Sequence, residues 1–111
     1  MEIITKRINT YNFEFRLTCG ACPEQYDVYL EDEQVAYVRL RWGTLRCEYP
    51  DCGGEIIFTA DLDDYAMQGT FASYEQRDFY LEKIAQSIYN KIFQSEAVRR
   101  SARRTLLGVY Q

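Results

Sequence analysis

The residues of this chain best equipped for chemistry are its four cysteines, which fall as Cys19-Gly20-Ala21-Cys22 and Cys47-Glu48-Tyr49-Pro50-Asp51-Cys52. Two close pairs with 24 residues between them suggest a four-thiolate zinc site made of Cys19, Cys22, Cys47 and Cys52, because tetrahedral zinc is commonly held by two turn-borne pairs. The second pair runs into Pro50-Asp51-Cys52-Gly53-Gly54, like the tail of a zinc knuckle, but Tyr49 stands where a knuckle needs its partner cysteine. Cys47 also shares the inward phase of its strand with Leu45 and Tyr49, where a reduced cysteine packs as a small apolar residue. Zinc is thus the one cofactor in view, and unligated packing or surface thiols are the alternative. A disulfide framework is not expected of a cytoplasmic chain with a sizeable apolar core.

Other chemistries find less support. A thioredoxin-like reading of Cys19 to Cys22 needs a helix starting at the first cysteine to stabilise its thiolate. Here Pro23-Glu24-Gln25 leads instead into a strand. Asp61, Asp63 and Asp64 resemble half of a calcium loop, but Leu62 and the lack of a following glycine and glutamate point to an acidic loop. The chain has no histidine, which removes the commonest general base and neutral metal ligand. There is no glycine loop that would cradle a phosphate. No catalytic residue is expected.

Binding chemistry is better represented. Strand alternation collects Arg16, Tyr29, Tyr37, Arg39, Arg41 and Arg46 on the sheet face away from the helix, where arginines and tyrosines can hold phosphates and stack bases. Glu14, Asp27, Glu31 and Glu48 share that phase and can instead pair with the arginines across strands. Near the end of the chain, Arg99, Arg100, Arg103 and Arg104 fall at i, i+1, i+4 and i+5, on one side of a helix. They suit nucleic acid or an acidic protein surface, and equally the C-terminal end of a helix dipole. Val98, Leu106, Leu107 and Tyr110 leave apolar surface beside them, which makes a homodimer through this segment credible.

The elements that must position these groups follow from the hydrophobic period. Phe13/Phe15/Leu17, Tyr26/Val28/Leu30, Val38/Leu40/Trp42 and Leu45/Cys47/Tyr49 each alternate with mostly polar residues, and Ile56/Phe58/Ala60 with Ile57 and Thr59, the pattern of strands with one buried face. Ile3 to Ile8 is a weaker strand candidate. The gaps between strands are short, as antiparallel neighbours require, since a parallel crossover takes about a dozen residues. Residues 61–72 read as a loop, and Ser73-Tyr74-Glu75-Gln76 matches a capping box. Leu81, Ile84, Ala85, Ile88, Ile92 and Phe93 then recur at helical spacing. The expected fold is α+β: an antiparallel β-meander of four to six strands with one long C-terminal helix packed on one face. A helix unbroken to Leu107 would be about 50 Å long, so the chain either bends near Gln94 to Ala97 or projects.

At 111 residues and 47 % hydrophobic content the chain supports one folded core: an α+β domain over 1–95 and a basic, helical extension over 96–111. The extension holds four arginines against Glu96, a net +3, so with −4 overall the body carries −7. Such asymmetry favours oriented association with a charged partner, or reflects a solvated helix face. No run approaches the roughly 20 apolar residues of a membrane span. Met1-Glu2-Ile3-Ile4-Thr5-Lys6 lacks the pattern of a secretory signal, so the cytoplasm is the expected compartment.

Three motifs carry a resemblance. Cys19-Gly20-Ala21-Cys22-Pro23-Glu24-Gln25-Tyr26-Asp27-Val28-Tyr29, Tyr37-Val38-Arg39-Leu40-Arg41-Trp42-Gly43 and Tyr49-Pro50-Asp51-Cys52-Gly53-Gly54-Glu55 resemble a family of small proteins carried by bacterial phages and mobile elements, over about residues 12–93. The resemblance implies an accessory protein, one that interferes with a host defence system, and carries no assigned reaction. The expected function is a non-catalytic interaction protein that inhibits a host defence nuclease by binding protein, in an anti-CRISPR-like mode. In that mode the acidic stretches Glu24 to Glu33 and Asp61 to Asp64 would oppose a basic groove. The alternative is a nucleic-acid or nucleotide-binding module that uses the Arg/Tyr sheet face and the arginine tail.

Overall fold

Three of the chain reversals take only two residues each: Asn9-Thr10, Glu31-Asp32 and Trp42-Gly43. Each opens with a left-handed residue, at φ 56° for Asn9, 51° for Glu31 and 54° for Trp42, and Gly43 continues at 78°. Turns of this hand match the right-handed twist of the strands they join. The computed structural model describes residues 2–20, 23–62 and 69–107, with side chains followed as far as Gln94. Within it the strands are β1 (Ile3–Ile8), β2 (Tyr11–Gly20), β3 (Glu24–Leu30), β4 (Glu33–Arg41), β5 (Thr44–Tyr49) and β6 (Glu55–Asp61), followed by the helix α1 (Tyr74–Leu107). They form one sheet in the order β1-β2-β3-β4-β5-β6, every pair antiparallel. This is the expected α+β meander at the upper end of its strand count, with the weak candidate Ile3–Ile8 present as an edge strand.

The helix starts where the capping box places it. Ser73 Oγ accepts the amide of Gln76 at 3.0 Å, and the Gln76 side chain reaches back to the amide of Ala72 at 2.7 Å, one residue earlier than the box prescribes. Two otherwise orphaned donors are thereby satisfied. From there Leu81, Ile84, Ala85 and Ile88 are fully buried against Phe13, Phe15, Tyr26, Val28, Val38, Leu40, Leu45 and Cys47. The helix backbone comes closest to the two edge strands, β1 and β6. The sheet therefore curls around the helix, and the large side chains of the central strands fill the trough. Ion pairs fasten the rim: Lys6 to Asp78 at 3.3 Å, Glu2 to Arg77 at 3.3 Å and Glu55 to Lys91 at 2.7 Å.

Of the two courses open to the C-terminal segment, the backbone takes the second: α1 is unbroken for 34 residues. The molecule is accordingly elongated, 55 Å against 24 and 23 Å. Arg99, Arg100, Arg103 and Arg104 sit on this helix, but their side chains, like those of Val98, Leu106 and Leu107, lie outside the described residues, as does all of Tyr110. Among the described residues no helix is long and apolar enough to cross a membrane.

Two of the alternations need correction. Trp42 does not continue the buried phase of Val38 and Leu40; it leaves the strand at the hairpin tip and is 71 % exposed. Ile56 does not face the helix with Phe58, because a register shift between Cys47 and Glu48 pairs Ile56 with Glu48. A bulge of this kind turns the residues beyond it to the other face, and Ile56 is left 52 % exposed.

Candidate functional site

The cysteines are dispersed by the strand order. Cys19 is on β2 and Cys47 on β5, with β3 and β4 between them. Three strand spacings of about 4.8 Å put them about 14 Å apart, too far to share a metal. They also use opposite faces. Cys19 is registered with Gln25, which pairs with Arg39, whereas Cys47 pairs with Val38 and is fully buried. Burial, and after it the neighbouring charge of Glu48, pushes the Cys47 thiol up to about 12, so it is protonated at neutral pH. Cys52 is exposed on the turn after β5, and Cys22 lies outside the described residues. Among the described residues no group of three or more metal-binding side chains exists. The three cysteines that the structure describes are thus set apart: Cys47 packed in the core, Cys19 on β2 and Cys52 on the turn after β5.

The outer face of the sheet holds all six residues that alternation assigned to it, yet it divides them. Toward the β2–β3 end, Arg16 lies 3.8 Å above the Tyr29 ring and 2.9 Å from Glu14, with Asp32 at 3.8 Å. That arginine is neutralised where it stands. In the middle, Tyr37 is nearly buried and donates to Gln25 at 2.6 Å. Desolvation raises its phenol pKa against the opposing pull of Arg39. Arginine–acid pairing does occur, but along strands rather than across them: Glu14 with Arg16, and Glu48 with Arg46 at 3.1 Å. Asp27 stands opposite Arg16 in register, yet Arg16 pairs with Glu14 two residues along its own strand; Arg39 is opposed by Arg46, which pairs with Glu48.

At the β4–β5 end three arginines converge. Arg39 and Arg46 are direct register partners, and Arg41 is paired with Thr44 one step nearer the turn. Side chains of directly opposed residues share a face with their Cβ atoms about 5 Å apart, and like charges in that position repel. Among the described residues neither Arg39 nor Arg41 forms an ion pair. The nearby carboxylates are engaged: Asp61 accepts from Thr44 Oγ1 at 3.1 Å, and Glu48 accepts the amide of Gly53 at 2.7 Å with one oxygen and holds Arg46 Nε at 3.1 Å with the other. Arg39, Arg41, Trp42, Thr44 and Arg46 line a hollow of about 320 Å³.

Trp42 completes this corner and was invisible to the alternation rule. It occupies the first position of a two-residue turn, where asparagine or glycine is usual. A left-handed conformation costs an ordinary side chain about 1–2 kcal/mol, and Trp42 keeps it while exposing a large ring. The signal in the sequence was the pair Trp42-Gly43 between two strands, which marks a tight turn rather than the end of a buried run.

A larger hollow, about 580 Å³, opens between the start of α1 and the ends of β2 and β3, lined by Glu2, Leu17, Glu24, Tyr26, Phe71 and Arg77 among others. Most of its polar groups serve one another, and the buried Nε of Arg77 is left without a hydrogen-bond partner. Glu24, only 8 % exposed, accepts from the Tyr26 hydroxyl and from the amide of Phe71 at 3.2 Å, while its own amide donates to Gly69 at 2.7 Å. Burial, then the Glu24 hydrogen bond, raises the Tyr26 pKa. Arg77 bonds Glu2 and stands 4.7 Å from the Tyr74 ring. This cluster ties the link after β6 to the sheet, and sequence reasoning missed it because Glu24 looked like part of an acidic surface. Of that surface, Glu31, Asp32 and Glu33 are exposed, Glu24 is not, and Asp63 and Asp64 lie outside the described residues. Of the two hollows, the smaller is the one with two arginines, Arg39 and Arg41, that form no ion pair among the described residues. Comparison with family models, curated proteins and solved structures finds no match.

Proposed function

We propose that this chain is a non-catalytic interaction protein whose docking surface is the basic corner of the sheet, with Arg39, Arg41 and Arg46 facing an anionic partner and Trp42 as the anchor. The observation that carries the reading is the clustering of Arg39 and Arg41, neither in an ion pair among the described residues, beside Arg46, which Glu48 holds at 3.1 Å. Like charges so close repel in the free protein, and an anion seated among them relieves that repulsion. Tryptophan and arginine are also the side chains that most often dominate binding energy at interfaces. The missing histidine and the structural use of Glu24 support a role without turnover. The resemblance to phage and mobile-element proteins supports action inside a bacterial cytoplasm, with a defence nuclease as one target. The acidic-mimic mode has thinner support, since Glu24 is withdrawn from the surface.

The corner can be tested against the arginine tail on a polyanion matrix such as heparin. A chain of net charge −4 should be retained at low salt. Arg39→Glu with Arg41→Glu should abolish retention, whereas Arg103→Glu with Arg104→Glu should leave most of it. The reverse pattern would move the docking surface to the tail.

A further inference from the structure

We infer that the unit recognised at this corner is a phosphate with a nucleobase beside it, as presented by single-stranded nucleic acid. This rests on the basic corner being the docking surface and narrows what docks there. The opposed side chains of Arg39 and Arg46 put two guanidiniums on the same wall of the hollow, Arg46 with its Nε on Glu48 at 3.1 Å, and Arg41 adds a third. Planar guanidiniums bind phosphate oxygens through paired N–H donors, and several of them around one anion are a recurrent phosphate site. Carboxylates of an acidic protein would meet the same charges, but they would leave the indole without a partner. Trp42 is 71 % exposed on the rim of that hollow, held by a turn whose two central residues are both left-handed. A base stacked on it would cover the largest exposed apolar surface at the site.

The geometry also selects among nucleic acids. Stacking on an aromatic ring needs a base with a free face, which a duplex does not offer and a single strand does. A hollow of about 320 Å³ lies at the lower end of ligand-site volumes. It accommodates a phosphate and part of one nucleoside, with the rest of the strand continuing along the outer face. The overall charge of −4 provides no long-range attraction for a polyanion, so binding is local and strongly salt-limited. Three phosphate contacts predict a slope of log affinity against log salt of about −2 for a single strand.

The chain contains one tryptophan among ten tyrosines, so emission excited selectively at the indole, beyond the tyrosine absorption band, reports on this corner. The full-length protein would be titrated with a single-stranded oligothymidylate, the corresponding duplex, inorganic phosphate and polyglutamate. Saturable quenching by the single strand, weaker binding of the duplex and no quenching by polyglutamate are expected. Arg39→Glu should abolish the effect. Trp42→Leu, followed by anisotropy of a labelled strand, should weaken binding on the order of 10-fold. Equal quenching by polyglutamate would overturn the nucleic-acid assignment and leave the basic corner standing as a protein-docking surface. Strand binding without any change in tryptophan emission would place the contact elsewhere, and silence toward every ligand would remove the corner itself.

Discussion

On the helix side of the sheet, Glu24 is 8 % exposed and both its carboxylate oxygens are taken, one by the Tyr26 hydroxyl and one by the Phe71 amide. On the outer side of the next strand, Arg39 faces Arg46 and forms no ion pair among the described residues, while Arg46 holds Glu48 at 3.1 Å. The same contrast runs along the rim. Every charged side chain there that leans toward α1 meets its opposite: Lys6 with Asp78, Glu2 with Arg77, Glu55 with Lys91. A buried or half-buried charge must be satisfied for the fold to form, because an unpaired one costs several times what a pair contributes. A solvated charge is under no such constraint. Arg39, set against Arg46 and without an ion pair of its own among the described residues, therefore marks a surface arranged for something other than stability, and the two faces should respond oppositely to loss of a charge.

The largest effect should come from the inner face. Glu24→Ala orphans the Tyr26 hydroxyl and the Phe71 amide together, so the chain should lose about 2–4 kcal/mol in chemical denaturation. A loss below the error of the measurement would break the contrast. Alkaline pH probes the same face more gradually. The Cys47 thiol titrates near 9 when free and near 12 in the fold. Below pH 9 both states keep the proton and nothing changes. As pH rises through that value the unfolded chain releases its proton first, so stability should fall by about 1 kcal/mol per pH unit toward pH 12. Cys47→Ala should flatten the first part of this decline, with Tyr26 contributing above pH 10 in the same direction.

The smallest effect has the opposite sign. Arg39→Thr removes one member of the facing pair and places a residue with good strand propensity opposite Arg46, so stability should rise by about 0.2–1 kcal/mol. The same variant should lose retention on the polyanion matrix. A gain in stability joined to a loss of binding is the signature that separates a docking surface from a structural one. Destabilisation by Arg39→Thr would mean that the guanidinium supports Tyr37 more than it serves a partner.

How much of the site was legible follows from which rule governed each residue. Period-two alternation assigned Arg39, Arg41 and Arg46 to the outer face correctly, because strand phase depends only on local backbone geometry. It failed at Trp42 and Ile56, where a turn and a bulge interrupt the phase, and neither leaves a strong mark in an unaligned sequence. It could not tell that Arg16 is neutralised by Glu14 and Tyr29 while Arg39 stays unpaired. Pairing depends on which strands become neighbours and at what register.

The sequence by itself determined the meander, the capped helix and the apolar set that joins them, since spacing within a strand or helix reports which side chains share a face. Gly54 is legible in the same way, because a Cβ there would lie 2.2 Å from the Tyr49 carbonyl and only glycine fits the turn. Tertiary structure alone decided that Cys47 is sealed in the core apart from Cys19, that Glu24 is a buried acceptor, and that three arginines and a tryptophan form one corner. Each of these depends on distances between residues far apart in the chain, and those distances are set by strand order, register and the curl of the sheet around its helix.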